Sequence, residues 1–182
     1  MIDLVVAATG TANLASVWSA LERLGAKPTL ARSADDVRAA RRLVLPGVGT
    51  YRAAMRRLAE DGLVDALRAH VQARRPTLAV CLGFQLLFES SEESPGVAGL
   101  GVWPHAVRSL PDSVRRPHLG WNEVAPTAGC RWLTPGEAYF AHSFWAAPVA
   151  DLPRRGETTY ASTFVAAVED EGILATQFHP EL

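Results

Sequence analysis

Residues 76–91 read PTLAVCLGFQLLFESS. The run from Pro76 to Val80 is short and apolar, as a strand buried on both faces of a parallel sheet would be. The residues after it, Phe84 to Ser91, follow helical spacing, so the stretch predicts a strand passing directly into a helix. Cys81 stands at the junction, with small residues, Ala79 and Gly83, two positions away on either side. A strand-turn-helix elbow needs small neighbours there because the helix crosses close over the strand, and it presents its apical residue on a strained, exposed bend. The positive end of the helix would favour a thiolate and offer backbone N–H groups to an oxyanion. The alternative is a buried cysteine packing as a small hydrophobe. This stretch alone leaves both open.

Working outward, the chain before the elbow alternates strands and helices. Asp3 to Ala8 (DLVVAA) reads as a buried strand ended by a turn, and Leu14, Val17, Trp18, Leu21 and Leu24 then fall at helical spacing. Asn13 suits the start of that helix and Gly25 its left-handed cap. KPTLA and RLVLP read as further strands, separated by a brief helix capped by Ser33. After PGVG (Pro46 to Gly49), the span from about Tyr51 to Ala73 has helical rhythm interrupted by Gly62, which predicts two helices. Strand and helix in alternation require a parallel sheet covered on both faces.

Beyond about Ser94 the texture changes. GVWPHAVRSL, WNEVAP, AYFAHSFW, TTYASTF, FVAAV and ILATQF are short β-prone pieces separated by turn-forming residues, and they predict antiparallel strands. No repeat, low-complexity tract or linker divides the chain, so residues 1–182 are read as a single α/β domain. Of the 182 residues 48% are hydrophobic, enough for a substantial core without staples. A formal charge of -1 with both signs interspersed excludes a field that would gather nucleic acid or anionic lipid. The apolar start lacks a basic leader, and no run approaches the roughly 20 apolar residues of a membrane span, so a soluble cytoplasmic protein is expected. Cys81 and Cys130 are too few for a disulfide framework and lack the spacing of a metal site.

A thiolate nucleophile needs a base, and the chain offers His70, His105, His118, His142 and His179. His70 lies in a basic helix and is expected to face solvent. His179 follows the strand ILATQF directly, within HPEL, where Pro180 holds the chain extended between it and Glu181. Side chains two apart on extended chain point the same way, so the Glu181 carboxylate can orient the imidazole and stabilise its charged form. A plain surface turn is the competing reading of HPE.

In this order and at these separations, PGVG, AVCLGFQLLFES and QFHPE resemble the class I (triad) glutamine amidotransferases. Within that family, NLASVWSALERLG, LVLPGVGTYRAAMRRLAEDGL, CLGFQLLFESSEE, PHLGWN, YFAHSF and ATQFHPE are similar to the amidotransferase subunits of imidazole glycerol phosphate synthases, over nearly the whole chain. The resemblance implies a flavodoxin-like three-layer sandwich with a mostly parallel central sheet and an antiparallel C-terminal part. It also implies hydrolysis of L-glutamine to glutamate and ammonia through a cysteinyl thioester. Cys81 would be the nucleophile, His179 the proton shuttle and Glu181 its support, with oxyanion donors at Val48, Gly49 and Leu82. Gln85, Ser143 and Phe144 would hold the α-amino and α-carboxylate groups of glutamine, and no cofactor or metal is implied.

A cyclase subunit of (β/α)₈-barrel form would complete a heterodimer and receive the ammonia. There it would react with a phosphoribulosyl formimino carboxamide ribotide, giving imidazole glycerol phosphate and an aminoimidazole carboxamide ribotide in histidine biosynthesis. Asn13, His118, Trp121 and Asn122 match positions expected near that interface. The chain departs from the family pattern at Ala79, where glycine is usual, and at Ala8, Thr9 and Ala12 in the first loop. Family members also usually continue beyond the position of Leu182. Two rival readings follow: an amidotransferase serving anthranilate or aminodeoxychorismate synthase, against which PHLGWN argues, and a catalytically weak docking subunit.

Overall fold

The computed structural model describes residues 2–10, 14–146, 152 and 154–182. Strand β1 (Ile2–Val6) leads to helix α1 (Leu14–Arg23), β2 (Ala26–Leu30), α2 (Ala34–Ala39), β3 (Leu43–Leu45), α3 (Tyr51–Glu60), α4 (Val64–Gln72), β4 (Thr77–Val80) and α5 (Leu82–Leu86). Then come β5 (Phe88–Ser91), β6 (Trp103–Ser109), β7 (His118–Pro126), β8 (Gly136–His142), β9 (Phe144–Ala146), β10 (Arg155–Tyr160), β11 (Ser162–Asp170) and β12 (Ile173–Thr176). The main sheet runs β2-β1-β3-β4-β12-β11-β10-β7-β8. Pairing is parallel from β2 to β12 and antiparallel from there to β8, as the change of texture in the sequence predicts.

Local chemistry accounts for the element ends. Ser33 caps α2 in a full capping box with Asp36, and Thr50 accepts from Ala53 N–H at the start of α3. Gly62, at φ 68°, separates α3 from α4 by adopting a conformation that costs other residues strain. Asn13, the expected cap of α1, lies outside the described residues.

Three expectations are corrected. The helix after the elbow is a single short turn, Leu82–Leu86, and FESS is strand β5. Leu100 N–H bonding to Leu86 O and Val102 N–H to Leu87 O show why: a neighbouring segment supplies the backbone partners a longer helix would have used. TTYASTF is a hairpin turn between β10 and β11, centred on Ala161 at φ 65°, rather than one strand. His70 is 2% exposed: its ring is held under α4, whose apolar residues Ala66, Leu67 and Val71 are buried with it.

The core lies on the sheet faces, and below the elbow Phe84, Phe88 and Trp103 pack edge-on or tilted with centroids 5.1–5.9 Å apart. Phe84 thereby packs α5 against β5 and β6. No helix among the described residues is long and apolar enough to cross a membrane.

Candidate active site

Strands β3, β4 and β12 are adjacent and parallel, with Leu45 beside Ala79 and Val80 beside Thr176. The segments leaving their carboxyl ends, PGVG, Cys81-Leu82-Gly83 and Gln177 to Glu181, therefore emerge at one edge, where open α/β sheets build their sites. Residues 95 and 96 positions apart meet there: Cys81 N–H donates to Thr176 O at 2.7 Å, and Gln177 Nε2 lies 3.8 Å from Cys81 Sγ.

Cys81 has φ 53° and ψ -109°, a backbone conformation that costs a non-glycine residue about 1–3 kcal/mol. The elbow is held by close packing. A Cβ on Gly83 would come within 1.8 Å of Leu45 O, and one on Gly47 within 2.9 Å of Leu82 Cβ. Ala79 is wholly buried yet accommodated, between Leu45 on β3 and Ala175 on β12. The tight contact is made by Gly83 on the crossing helix, against Leu45 O of β3, and not by residue 79, so the family's usual glycine there is not needed for the elbow to form.

His179 Nδ1 is 2.9 Å from Glu181 Oε1, and both side chains are about nine-tenths buried. Hydrogen bonds to Cys81 and to Glu181, aided by the negative charge of each and opposed by burial, raise the imidazole pKa from its ordinary value to about 10. An imidazolium held between a thiol sulfur and a carboxylate is the arrangement of a base-activated nucleophile. Tyr139 O receives the His179 N–H at 3.0 Å, which fixes the segment against β8.

A cavity of about 400 Å³ opens beside this pair, lined by Val48, Gly49, Cys81, Leu82, Gln85, Glu93, Pro117, Ala141, His142, Ser143, Phe144 and His179. All the residues read from sequence as catalytic, oxyanion or substrate-binding thus lie on its wall, except Glu181, which stands behind His179. Their atoms are not all free. Leu82 N–H donates to Gly47 O at 3.2 Å, so the donor that the resemblance implies for an oxyanion is engaged. The carbonyl of Ser143 accepts Leu110 N–H at 3.0 Å, and that of Phe144 accepts Gln85 Nε2 at 2.8 Å. Gln85 Nε2 also reaches Gln177 Oε1 at 3.0 Å, leaving the Gln85 carbonyl oxygen as the atom it can offer.

Glu93 was not singled out from the sequence. Its Oε2 accepts Tyr51 N–H at 2.6 Å, which places a carboxylate on the cavity wall. The signal was the acidic pair in SSEE, indistinguishable in sequence from a solvated turn.

The residues expected at a partner interface separate. Trp121 is 57% exposed, beside Tyr139 on the outer face of the β7–β8 pair, where Leu119 is also exposed. His118 points the other way and is buried, stacked between Phe140 and Tyr160 with centroids 5.0 and 4.0 Å away. Alternation along β7 puts residues 118 and 121 on opposite faces, so His118 is corrected from surface to interior. Asn122 is half-buried and donates to Thr159 O at 2.8 Å. Asn13 lies outside the described residues. No group of three or more potential metal ligands occurs among the described residues.

Comparison with known proteins agrees with this geometry. The profile of the family "Glutamine amidotransferase class-I" matches residues 8–182. The imidazole glycerol phosphate synthase subunit HisH of Methanopyrus kandleri is 42% identical over 175 residues, covering 94% of this chain and 86% of the relative. That of Pectobacterium atrosepticum is 41% identical over 185 residues, covering 99% and 92%. A solved glutamine amidotransferase superposes with a TM-score of 0.77 at 19% identity, covering 98% of this chain and 90% of the other. Sequence profile, relatives and fold concur, and the chain belongs to the class I glutamine amidotransferases, in the family of the imidazole glycerol phosphate synthase HisH subunits.

Proposed function

We infer that this protein is the glutaminase subunit of imidazole glycerol phosphate synthase and serves histidine biosynthesis. One observation carries the reading: the Cys81 thiol, the His179 imidazole and the Glu181 carboxylate line up beside a cavity large enough for glutamine. The relatives named above support the synthase assigned to it over one using chorismate.

In the chemistry we propose, the Cys81 thiolate attacks the side-chain amide carbon of glutamine, and the carbonyl oxygen gains the negative charge. His179, held as imidazolium by Glu181, gives its proton to the departing nitrogen, so ammonia leaves and a glutamyl thioester remains. The neutral imidazole then takes a proton from water, which attacks the thioester and releases glutamate and the thiolate. The α-ammonium group suits the Glu93 carboxylate and the Gln85 carbonyl oxygen. The oxyanion needs Leu82 N–H, and the Gly47 carbonyl must turn away to free it. Gly47 and Gly49 permit such a movement, and Gly49 already stands at φ 94°.

That engaged donor favours low activity in the isolated chain and activation by a partner. A cyclase subunit of barrel form, making a heterodimer, fits the exposed Leu119 and Trp121, cross-strand from Ala141 and Tyr139, and the exposed Leu182, which lines a cavity with those two partners, His179 and Glu181. Ammonia released against such a cover would pass on without entering bulk water. We read residues 1–182 as one amidotransferase domain. The test is glutamate production from glutamine: weak for the chain alone, raised by the cyclase with its nucleotide ligand, and absent in Cys81→Ser. Full activity in that variant defeats the assignment, and a failure of Cys81 to react with a glutamine-mimicking electrophile, partner present, favours a docking role.

A further inference from the structure

Gln177 is wholly buried and does not line the cavity beside Cys81, yet it sets an amide at the level of the sulfur. A buried amide is costly unless its hydrogen bonds are made, so its partners matter. Val80 on β4 pairs with Thr176 on β12, which brings the next residues, Cys81 and Gln177, side by side, with Gln177 Nε2 3.8 Å from Cys81 Sγ. Gln85 stands one helical turn beyond Cys81, its N–H on Cys81 O at 3.1 Å. Its amide nitrogen, Nε2, lies 2.8 Å from Phe144 O and 3.0 Å from Gln177 Oε1.

The sense of these bonds is fixed from one end. Phe144 O is a main-chain carbonyl and only accepts, so the Gln85 amide must present its nitrogen there. That nitrogen carries two hydrogens, one for Phe144 O and one for Gln177, and Gln177 answers with its oxygen. The Gln177 nitrogen is then the group that faces the sulfur, and it only donates. Each of the three contacts has one hydrogen and one acceptor. Turning the Gln177 amide alone would set nitrogen against nitrogen at Gln85, and turning both amides would set the Gln85 oxygen against Phe144 O.

We propose that Gln177 is a positioning residue: the end of a fixed chain, Phe144 O to Gln85 to Gln177, that donates a hydrogen bond to Cys81 Sγ and holds the thiolate beside His179. His179 is the other side chain hydrogen-bonded to the sulfur. Two donors on separate segments then fix the sulfur on its strained bend and share its negative charge. At 3.8 Å the Gln177 bond is long even for sulfur, so the expected effect is modest.

The consequence for turnover rests on the proposed amide hydrolysis; the bond to sulfur does not, and its readout needs no glutamine. The experiment is the pH dependence of Cys81 alkylation by iodoacetamide in the full chain, with Cys130 resolved by peptide mass spectrometry. The charged and titratable groups about the sulfur, His179 with Glu181 behind it and Glu93 and His142 on the cavity wall, are the same in every variant. Gln177→Met keeps the length of the side chain but has no N–H. Its half-maximal rate is expected at a higher pH, by roughly three- to tenfold in proton concentration. Gln85→Leu, which leaves Gln177 free to turn, is expected to move the midpoint part of the way. A midpoint that stays put in Gln177→Met overturns the bond, and one that stays put in Gln85→Leu overturns the fixed chain. Should a variant fail to fold, NMR of the side-chain amides decides: one Gln177 hydrogen is expected to shift upfield between wild type and Cys81→Ala, and an unchanged signal overturns the bond. With the cyclase partner present, Gln177→Met is expected to lower kcat for glutamine by a similar factor with KM less affected. An unchanged kcat beside a moved midpoint refutes the positioning role. A moved midpoint with no glutaminase activity in the wild type supports the bond to sulfur and refutes the proposed function instead.

Discussion

Cys81 and Gln177 lie side by side although 96 residues separate them, because β4 and β12 are paired so that Val80 meets Thr176. Cys81 N–H on Thr176 O, at 2.7 Å, extends that pairing by one residue into the elbow. The strained bend is thus braced by the sheet itself, and the strand that braces it also delivers His179 two residues after Gln177. The proposed nucleophile and base share one mechanical support.

The tightness of that support predicts a sharp contrast between two small residues. Gly83→Ala puts a methyl against Leu45 O, with a backbone atom at 1.8 Å that cannot give way, and is expected to cost more than about 3 kcal/mol or to prevent folding. Ala79→Gly restores the residue usual in the family and should cost only about 0.5–1 kcal/mol through backbone entropy. Urea unfolding of both variants checks this.

His179 supplies a second prediction. Its folded pKa is raised to about 10 against about 6.5 unfolded, so the native state binds its proton more tightly. The stabilisation is complete below about pH 6.5 and is lost as pH rises through about 10. NMR titration should therefore find His179 still protonated at pH 8, and Glu181→Gln, which removes a charge and weakens the hydrogen bond, should lower the midpoint. A midpoint near 6.5 in the wild type would contradict the triad geometry.

His70 titrates with the opposite sign. Burial, and then the charge of Arg75, lowers its pKa, and protonation must disrupt the site under α4. Its contribution is present above about pH 6.5 and disappears as pH falls through the lowered folded value. His70→Leu should leave stability at pH 7.5 within about 1.5 kcal/mol of wild type and flatten the loss between pH 7 and 5, measured by denaturant midpoints.

Glu169 anchors the loop between β7 and β8. Burial pushes its pKa up, but backbone N–H groups of Arg131, Leu133 and Trp132, together with Arg154, hold it below the usual carboxylate range. Those three donors lie at 2.6–2.8 Å. Glu169→Ala leaves them without an acceptor and should destabilise by about 2–4 kcal/mol, with Glu169→Gln intermediate; thermal or chemical unfolding reads the difference.

Much of this was legible from residues 76–91 and 177–181. Short apolar runs separated by helical spacing point to the parallel half, and turn-rich β segments to the antiparallel half. Cys81, His179 and Glu181 stand in local patterns whose chemistry constrains the residue types on either side. What escaped the sequence depends on distant packing. The helix after Cys81 stops early because Leu100 and Val102 claim the backbone of Leu86 and Leu87. The basic sequence neighbours of His70 predict an exposed side chain, whereas its face of α4 is set by what packs beneath it. Glu93 reaches the cavity only because the start of α3 receives it, 42 residues away in sequence. The interior position of His118 follows from strand alternation once β7 is known, but PHLGWN alone does not say which face is covered.

The most direct test of the central claim is intact-mass analysis after reaction with a glutamine-mimicking electrophile, cyclase partner present. The account predicts one equivalent of label on Cys81, none in Cys81→Ser, and labelling slowed at least tenfold in His179→Asn, as the loss of a positioned base demands. Label on Cys130 instead, or equal rates with and without the imidazole, would contradict it.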